Sequence, residues 1–157
     1  MPEADVRIAT REDWEDLLAL WAQDRAEETN ASAEEVRSGA ASALRAYDFL
    51  ASDAFWVVLA HVGGEPAGLA HACRIPKVDE RTGFLYVDEV YVAPAHRRKG
   101  VGVALLRRVK QLSEELGLAG VRLLVRPEND AARALYRRAG FQEYPTMLCQ
   151  WKSFRGE

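Results

Sequence analysis

The chain of 157 residues carries 21 Lys plus Arg against 24 Asp plus Glu, and its 48% hydrophobic and 29% charged residues mark a globular protein, not a disordered or fibrous one. The length suits one domain, read as 1–157, and no stretch reaches the ~18 uninterrupted apolar residues that a membrane span needs. The net charge of −3 hides an asymmetry: residues 1–60 carry 13 acids against 5 bases, and residues 61–157 carry 11 acids against 16 bases.

In chain order, Val6–Ala9 predicts a short strand, and Thr10 with Asp13 three residues later predicts a capping box. The helix it opens has an apolar stripe of Trp14, Leu17, Leu18 and Trp21. Ser32 with Glu35 repeats the signal for a second helix through Val36, Ala40, Leu44 and Tyr47, ending before Ser52-Asp53. Phe55–Val62, the turn Gly63-Gly64 and Ala67–Ile75 predict a hairpin closed by Pro76. Phe84–Val92 predicts a strand stopped by Pro94. A basic, glycine-containing loop then leads into a helix through Leu105, Leu106, Val109, Leu112 and Leu116, ended by Gly117. Val121–Val125 predicts another strand, Asn129 or Asp130 caps a helix ending at Gly140, and Phe141–Trp151 predicts two final short strands. This order implies a mixed α/β (α+β) fold, with helices on both faces of a largely antiparallel sheet.

The residue inventory excludes several chemistries. Cys73 and Cys149 sit in apolar runs without metal-ligand spacing and are expected to be buried, reduced thiols; His61, His71 and His96 are too scattered for a ligand set, so no metal is expected. No basic segment followed by an apolar one stands near Met1, so a cytoplasmic location is expected. Arg107, Arg108, Lys110, Arg133, Arg137 and Arg138 fall on predicted helices without interleaved exposed aromatics, which argues for solvated faces and against nucleic-acid binding.

Arg97-Arg98-Lys99-Gly100-Val101-Gly102 lies between a strand and a helix, where backbone N–H groups and the positive end of the helix point at a bound anion. Gly100 and Gly102 remove Cβ atoms where a diphosphate would approach, and Arg97, Arg98 and Lys99 add charge. A basic glycine turn is also a common solvated helix entry. There is no Gly-Lys-Ser/Thr of a nucleoside-triphosphate loop and no three-glycine dinucleotide fingerprint.

Val92-Ala93-Pro94 followed by His96 to Gly102 resembles motif A of the GCN5-related N-acetyltransferases. Asn129-Asp130-Ala131-Ala132-Arg133-Ala134-Leu135-Tyr136 with Gly140-Phe141 resembles their motif B. The resemblance covers nearly the whole chain and implies a sheet of six to seven strands. Arg98 departs from it, standing where many members have Gly.

The resemblance implies acetyl-CoA as the cofactor. Its pantetheine arm would pair like an added strand with Val90, Tyr91 and Val92, and its diphosphate would lie on the amides of Arg97, Arg98, Lys99, Gly100, Val101 and Gly102, continuing to Val103 and Ala104. Asn129 would bond the pantetheine region. Tyr136 would place its hydroxyl near the thioester sulfur as the acid, although a helical apolar stripe with Ala132, Leu135 and Ala139 is the plain structural reading of that tyrosine. Asp88 and Glu89 would accept the amine proton, directly or through water, or attract the substrate. A regular strand turns only one of the two to a cleft unless a bulge intervenes, and Glu89 is favoured.

Ile75-Pro76-Lys77-Val78-Asp79-Glu80-Arg81, Leu85 to Glu89 and His96-Arg97-Arg98 resemble the aminoglycoside 3-N-acetyltransferases of this superfamily. The implied partner is a cationic small-molecule amine, drawn by Asp79, Glu80, Asp88, Glu89 and Glu143. Polyamine, amino-acid and protein or peptide acceptors stay open, as does a non-catalytic acyl-CoA sensor. The superfamily also allows a homodimer, with Trp151 and Phe154 covering its interface.

Overall fold

The computed structural model describes residues 3–78 and 82–153. Five strands form one sheet in the order β1 (Asp5–Ile8), β2 (Phe55–Val62), β3 (Glu65–Ile75), β4 (Phe84–Val92) and β5 (Gly120–Leu123). The first four pair antiparallel, and β5 joins β4 in parallel. The helices are α1 (Trp14–Glu28), α2 (Ala33–Ala46), α3 (Val101–Glu115) and α4 (Asp130–Arg138). None of the described helices is long and apolar enough to cross a membrane.

Alternation along the strands divides the core into two layers. Val58 and Ala60 of β2, Ala70 and Ala72 of β3, and Leu85 and Val87 of β4 meet Val101, Leu105, Val109 and Leu112 of α3. On the opposite face Val57, Leu59, Leu69 and Tyr91 meet Leu17 and Leu20 of α1, with Phe49 beneath the end of α2. Leu17, Leu20, Leu59, Leu69, Leu105 and Leu106 are fully buried, each favoring the folded state by ~1.5–3 kcal/mol over an exposed side chain.

Both predicted capping boxes form. Ser32 Oγ accepts from Glu35 N at 3.1 Å while Glu35 Oε2 accepts from Ser32 N at 2.7 Å. At the first, Asp13 also accepts from the Arg7 guanidinium of β1, tying the entrance of α1 to the sheet.

The structure corrects four expectations. The sheet has five strands among the described residues, not six or seven, because 141–153 carries no strand and is exposed apart from the half-buried Phe141. The strand expected at 121–125 is Gly120–Leu123, and Leu124 is exposed. The second helix stops at Ala46, with Tyr47 as its extended C-cap. Cys149 is exposed, since the segment that holds it has no sheet to lie on, and Cys73 is only half-buried.

Candidate functional site

Hydrogen-bonding register sets the site. His71 of β3 faces Glu89, but Ala72 faces Val87, so Asp88 is an extra residue that bulges from β4. The bulge reverses the alternation: Leu85 and Val87 point to α3 on one side of it, and Val90 and Val92 do so on the other. Glu89 therefore shares the α1 face with Tyr91 and His71, while Asp88 stays exposed.

The bulge also lies where the parallel pairing ends. β4 and β5 are paired from Phe84–Gly120 to Val87–Leu123, and beyond that no described strand lies against Asp88–Val92 on the β5 side. The expected pantetheine-pairing residues Val90, Tyr91 and Val92 fall on this open edge. An open edge beside a core helix is a template for an added extended chain.

Around Glu89 the environment is acidic and poorly hydrated. Burial pushes its carboxyl up to about 8, helped by a hydrogen bond with Asp24 of α1 and by the charges of Asp24 and Asp88, against the opposing pull of Arg25. His71 Nδ1 stands 3.8 Å from Glu89 Oε2, and burial holds this imidazole down to about 4, so it is neutral near pH 7. Trp21 Nε1 donates to His71 Nε2 at 3.0 Å. Glu89 is thus a carboxyl poised to exchange a proton near neutrality. Burial raises the Cys73 thiol, which keeps it protonated and a poor nucleophile.

Asp24, Trp21 and His71 carry none of the roles expected from sequence. The available signal was positional: Asp24 follows Leu17, Leu20 and Trp21 at helical spacing and so falls on the sheet-facing stripe of α1. In the sequence His71 is one of three scattered histidines, and only the pairing of β3 with β4 brings it to Glu89.

The loop before α3 has the backbone expected of an anion cradle. Arg98 and Gly100 adopt positive φ, 60° and 83°, which turns the chain into the helix N-terminus. Gly100 serves that conformation. Gly102 has a different reason: a Cβ there would lie 3.0 Å from both methyl carbons of Leu135, so the missing side chain lets α4 pack on α3. Val101 and Gly102 are buried, Val103 and Ala104 are half-buried, and Arg97, Arg98 and Lys99 are exposed.

Two of the three loop cations have partners within the protein. Arg97 Nη2 donates to both oxygens of Glu27 at 2.9 and 2.7 Å, its Nε donates to Val92 O at 2.9 Å, and Tyr91 donates its hydroxyl to Glu27 at 2.6 Å. This clasp joins the end of α1 to β4. Lys99 Nζ donates to Ala95 O at 2.8 Å. Two basic grooves flank α3, one of about 630 Å³ that includes His96, Lys99 and Arg108, and one of about 250 Å³ against α4 that includes Arg107, Lys110 and Arg138. Neither contains Glu89 or Tyr136.

On α4, Asn129 caps the helix, its Oδ1 accepting from Ala132 N at 3.2 Å. Tyr136 is half-buried against Phe141, with ring centroids 6.1 Å apart, and burial raises its hydroxyl above the ordinary tyrosine range. Glu143 is gripped by Arg133 at 2.9 Å and by Arg137 at 2.9 Å, which holds its carboxyl down to about 2 and neutralises it as a lure for cations. Asp79 and Glu80, expected to bind substrate, lie outside the described residues, as does Phe154.

Part of the acidic surplus of the front half is spent locally. Asp13 serves Arg7, Glu15 pairs with Arg37, Asp16 meets His61 at 2.7 Å, and Asp48 pairs with Arg11. Of the front-half acids Asp24 reaches Glu89 of β4, beside Asp88, and no metal-binding cluster of three or more ligands is found among the described residues.

The chain has relatives in sequence and in fold. A bovine thialysine N-ε-acetyltransferase is 32% identical over 73 residues, 46% of this chain and 42% of that protein. The chain spans about two-fifths of the length of the curated relatives it matches. Among solved structures, AAC(6')-Iy in complex with the bisubstrate analogue CoA-S-monomethyl-acetylneamine superposes with a TM-score of 0.76 at 17% identity, covering 97% of this chain and 99% of that one. An aminoglycoside acetyltransferase, HMB0005, from an uncultured soil metagenomic sample gives 0.76 at 25% identity, over 96% and 99%. The position named in the AAC(6') neighbours is 6', not the 3-N position of the resemblance read from the sequence. The acetyltransferase (GNAT) family model matches residues 12–141, spanning α1, the bulged β4, the basic loop before α3 and α4, and the chain belongs to that family.

Proposed function

We propose that this protein transfers an acetyl group from acetyl-CoA to a primary amine of a cationic small molecule, by direct attack in a ternary complex. The observation that carries the reading is the half-buried Glu89, held up to about 8 beside Asp24 where β4 parts from β5. A base in that range can take the proton of an alkylammonium ion near neutral pH, and a second carboxylate at its side favors a cation.

The residues fit the cofactor. The positive-φ turn at Arg98 and Gly100 suits a diphosphate at the start of α3, with amides from Arg98 to Val103 as donors, since Ala104 N already donates to Gly100 O and Arg97 N to Pro94 O, and the edge at Val90–Val92, unpaired among the described residues, suits the pantetheine amides. The exposed amide nitrogen of Asn129 stays free of the capping bond and is suited to the same arm. Acetyl-CoA supplies an acyl group activated as a thioester. Glu89 accepts a proton from the amine nitrogen that forms the new C–N bond, directly or through a water held by Asp88. The Tyr136 hydroxyl gives a proton to the sulfur of the broken C–S bond. Asp24 and Asp88 orient the cationic acceptor.

An aminoglycoside is the favored acceptor, on the likeness in fold to aminoglycoside acetyltransferases and on the carboxylate cluster. A small amino acid with a terminal amine is the second reading, supported by the thialysine acetyltransferase relative. Release of free thiol from acetyl-CoA tests both. Turnover with aminoglycosides, lost in Glu89→Gln, is expected. Turnover confined to lysine analogues selects the second reading, and turnover confined to basic peptides overturns both.

A further inference from the structure

Hydrogen-bonding direction along β4 decides what its open edge offers a cofactor. Val92 lies opposite Gly68, and Ala93 N donates to Ala67 O at 2.9 Å. In an antiparallel ladder such a bond flanks a pair that exchanges no hydrogen bonds of its own, so the N–H and C=O of Val92 point away from β3, toward the open side. By alternation those of Val90 do the same, and those of Tyr91 turn to β3. One of these edge groups is already used, because Arg97 Nε donates to Val92 O at 2.9 Å. The guanidinium therefore lies across the end of the edge, at the carbonyl to which a chain paired with β4 would donate next.

Arg97 is kept there by Glu27. Its Nη2 donates to both carboxylate oxygens at 2.9 and 2.7 Å, so the Nε–Nη2 side by which an arginine grips an anion is occupied. Glu27 in turn accepts from the hydroxyl of Tyr91 at 2.6 Å, and the Tyr91 ring is buried, with the Arg97 guanidinium 5.7 Å from its centroid. The hydrogen bonds from Tyr91 and Arg97 hold the Glu27 carboxyl below its ordinary range, which keeps it ionised near neutral pH. The side chains of Arg97 and Glu27 are 45% and 39% exposed, and an ion pair that open to water adds little to stability. What it fixes is position. Glu27 also stands three residues after Asp24, the neighbour of Glu89, so one face at the C-terminal end of α1 meets both the candidate base and the end of the edge.

We propose that Glu27 is a positioning residue for the cofactor: through Arg97 it ends the ladder at the N–H of Val92, and so sets how far the arm of acetyl-CoA runs along β4 and where its thioester stands relative to Glu89. The inference rests on the pantetheine reading given above. Arg97 is then a stop for the arm and not a ligand of the diphosphate, which is left to the amides from Arg98 to Val103 and to the charge of Arg98. Because α1 carries both Asp24 and Glu27, the same helix sets the base and the stop.

Calorimetric titration with CoA at two salt concentrations, turnover of acetyl-CoA with the amine that the parent accepts, and amide exchange along β4 test this in the parent, Glu27→Gln and Glu27→Gln/Arg97→Gln. In the parent, CoA is expected to slow exchange of the Val90 and Val92 amides. Glu27→Gln keeps the shape of the side chain and releases the charge of Arg97 toward the diphosphate. CoA should then bind about threefold more tightly at low salt, with a steeper salt dependence, while kcat falls about tenfold because the arm is no longer stopped in register. The double variant should return to the parent's salt dependence and keep the lowered kcat. Weaker CoA binding with an unchanged salt dependence is what a merely structural carboxylate would give, and it overturns the inference, as does an unchanged kcat. A steep salt dependence that persists in the double variant overturns it too, since the released charge is then not that of Arg97. Protected Val90 and Val92 amides in a parent that Glu27→Gln matches throughout reject the inference alone, whereas amides that CoA leaves unprotected in the parent reject the pantetheine reading with it.

Discussion

Trp21 and His71 are joined by a hydrogen bond from indole Nε1 to imidazole Nε2 at 3.0 Å, with the rings edge to face and their centroids 5.5 Å apart. Indole only donates, so Nε2 is the bare nitrogen of the neutral ring and the proton sits on Nδ1, toward Glu89. A helix residue thereby fixes the tautomer of a strand residue beside the proposed base. Trp21→Phe removes the donor and frees the ring to turn or change tautomer. The Nδ1–H dipole, 3.8 Å from Glu89 Oε2 and beyond hydrogen-bond reach, then no longer points at the carboxylate, and the acid limb of kcat/KM against pH is expected to move up by at most roughly half a pH unit. His71→Ala removes the same N–H but should move the limb the other way, because burial is the largest cause of the raised carboxyl and water entering the vacated space hydrates it. Profiles that superpose on the parent in both variants would remove His71 from any part in tuning Glu89.

Glu89→Gln separates activity from stability. A carboxyl raised from an ordinary 4.5 to about 8 binds a proton in the folded state that it has lost in the unfolded one, so stability falls as pH rises through that interval. His71, lowered from 6.5 to about 4, has the opposite slope between those values, because only the unfolded state takes up its proton. The two largely offset one another up to pH 6.5, and between 6.5 and 8 Glu89 acts alone. The parent protein is expected to lose about 2 kcal/mol over that window, and Glu89→Gln to flatten the loss while lowering kcat by about 10²–10⁴. Urea unfolding at pH 6.5 and 8 measures the first, and thiol release the second.

Local chemistry in the sequence foretold the helix starts, since a capping box is written in residues three apart, as Thr10 with Asp13 and Ser32 with Glu35 show. It foretold the glycine turn into α3 for the same reason. The bulge was less legible, because Phe84–Val92 looks like one alternating strand unless the change of apolar parity from Leu85 and Val87 to Val90 and Val92 is noticed. The pairing of Asp24 with Glu89 depends on how α1 lies across the sheet, which no local pattern encodes. Phe141–Trp151 reads as strand because alternation reports a preference for a partner, and the partner itself is not in the pattern.

Arg98 carries a positive φ of 60°, a conformation that crowds the Cβ of any residue but Gly. The position is one where the wider family resemblance shows glycine. Arg98→Gly is expected to raise stability by about 0.5–1 kcal/mol, the relief of the left-handed strain less the entropy a glycine loses on folding. Removal of the cation should weaken CoA binding and lower its salt dependence. Thermal melting and calorimetric titration at two salt concentrations check both signs, and a destabilised variant would show that the Arg98 side chain contributes more than its backbone costs.

Asp13 is buried, accepts from Thr10 N at 2.8 Å and from the Arg7 guanidinium, and is held below the ordinary carboxylate range chiefly by the hydrogen bond from Arg7. A depressed carboxyl adds stability that is present above its unfolded value near 3.8 and is lost as pH falls through the folded value. Asp13→Ala should cost about 1–2 kcal/mol at pH 7, a figure kept modest because Arg7 remains partly hydrated. It should cost progressively less below pH 4. A loss that does not shrink in acid would assign the effect to packing alone.

Gly102 and Tyr136 are linked through α4, because the carbon that a side chain at Gly102 would need is already approached by Leu135, the neighbour of Tyr136. Gly102→Ala must push Leu135 by a few tenths of an ångström, costing about 1 kcal/mol or somewhat more in stability. A tyrosine donor moved with it would serve the leaving sulfur less well. Tyr136→Phe removes the donor without moving the helix, and is expected to lower kcat by about 10–10²-fold, with KM for acetyl-CoA and the melting temperature little changed. Gly102→Ala should lower kcat in the same direction and also raise that KM, because it disturbs the loop proposed to meet the diphosphate. Unchanged turnover in Tyr136→Phe would remove the hydroxyl as the acid, leaving Tyr136 as a packing residue against Phe141.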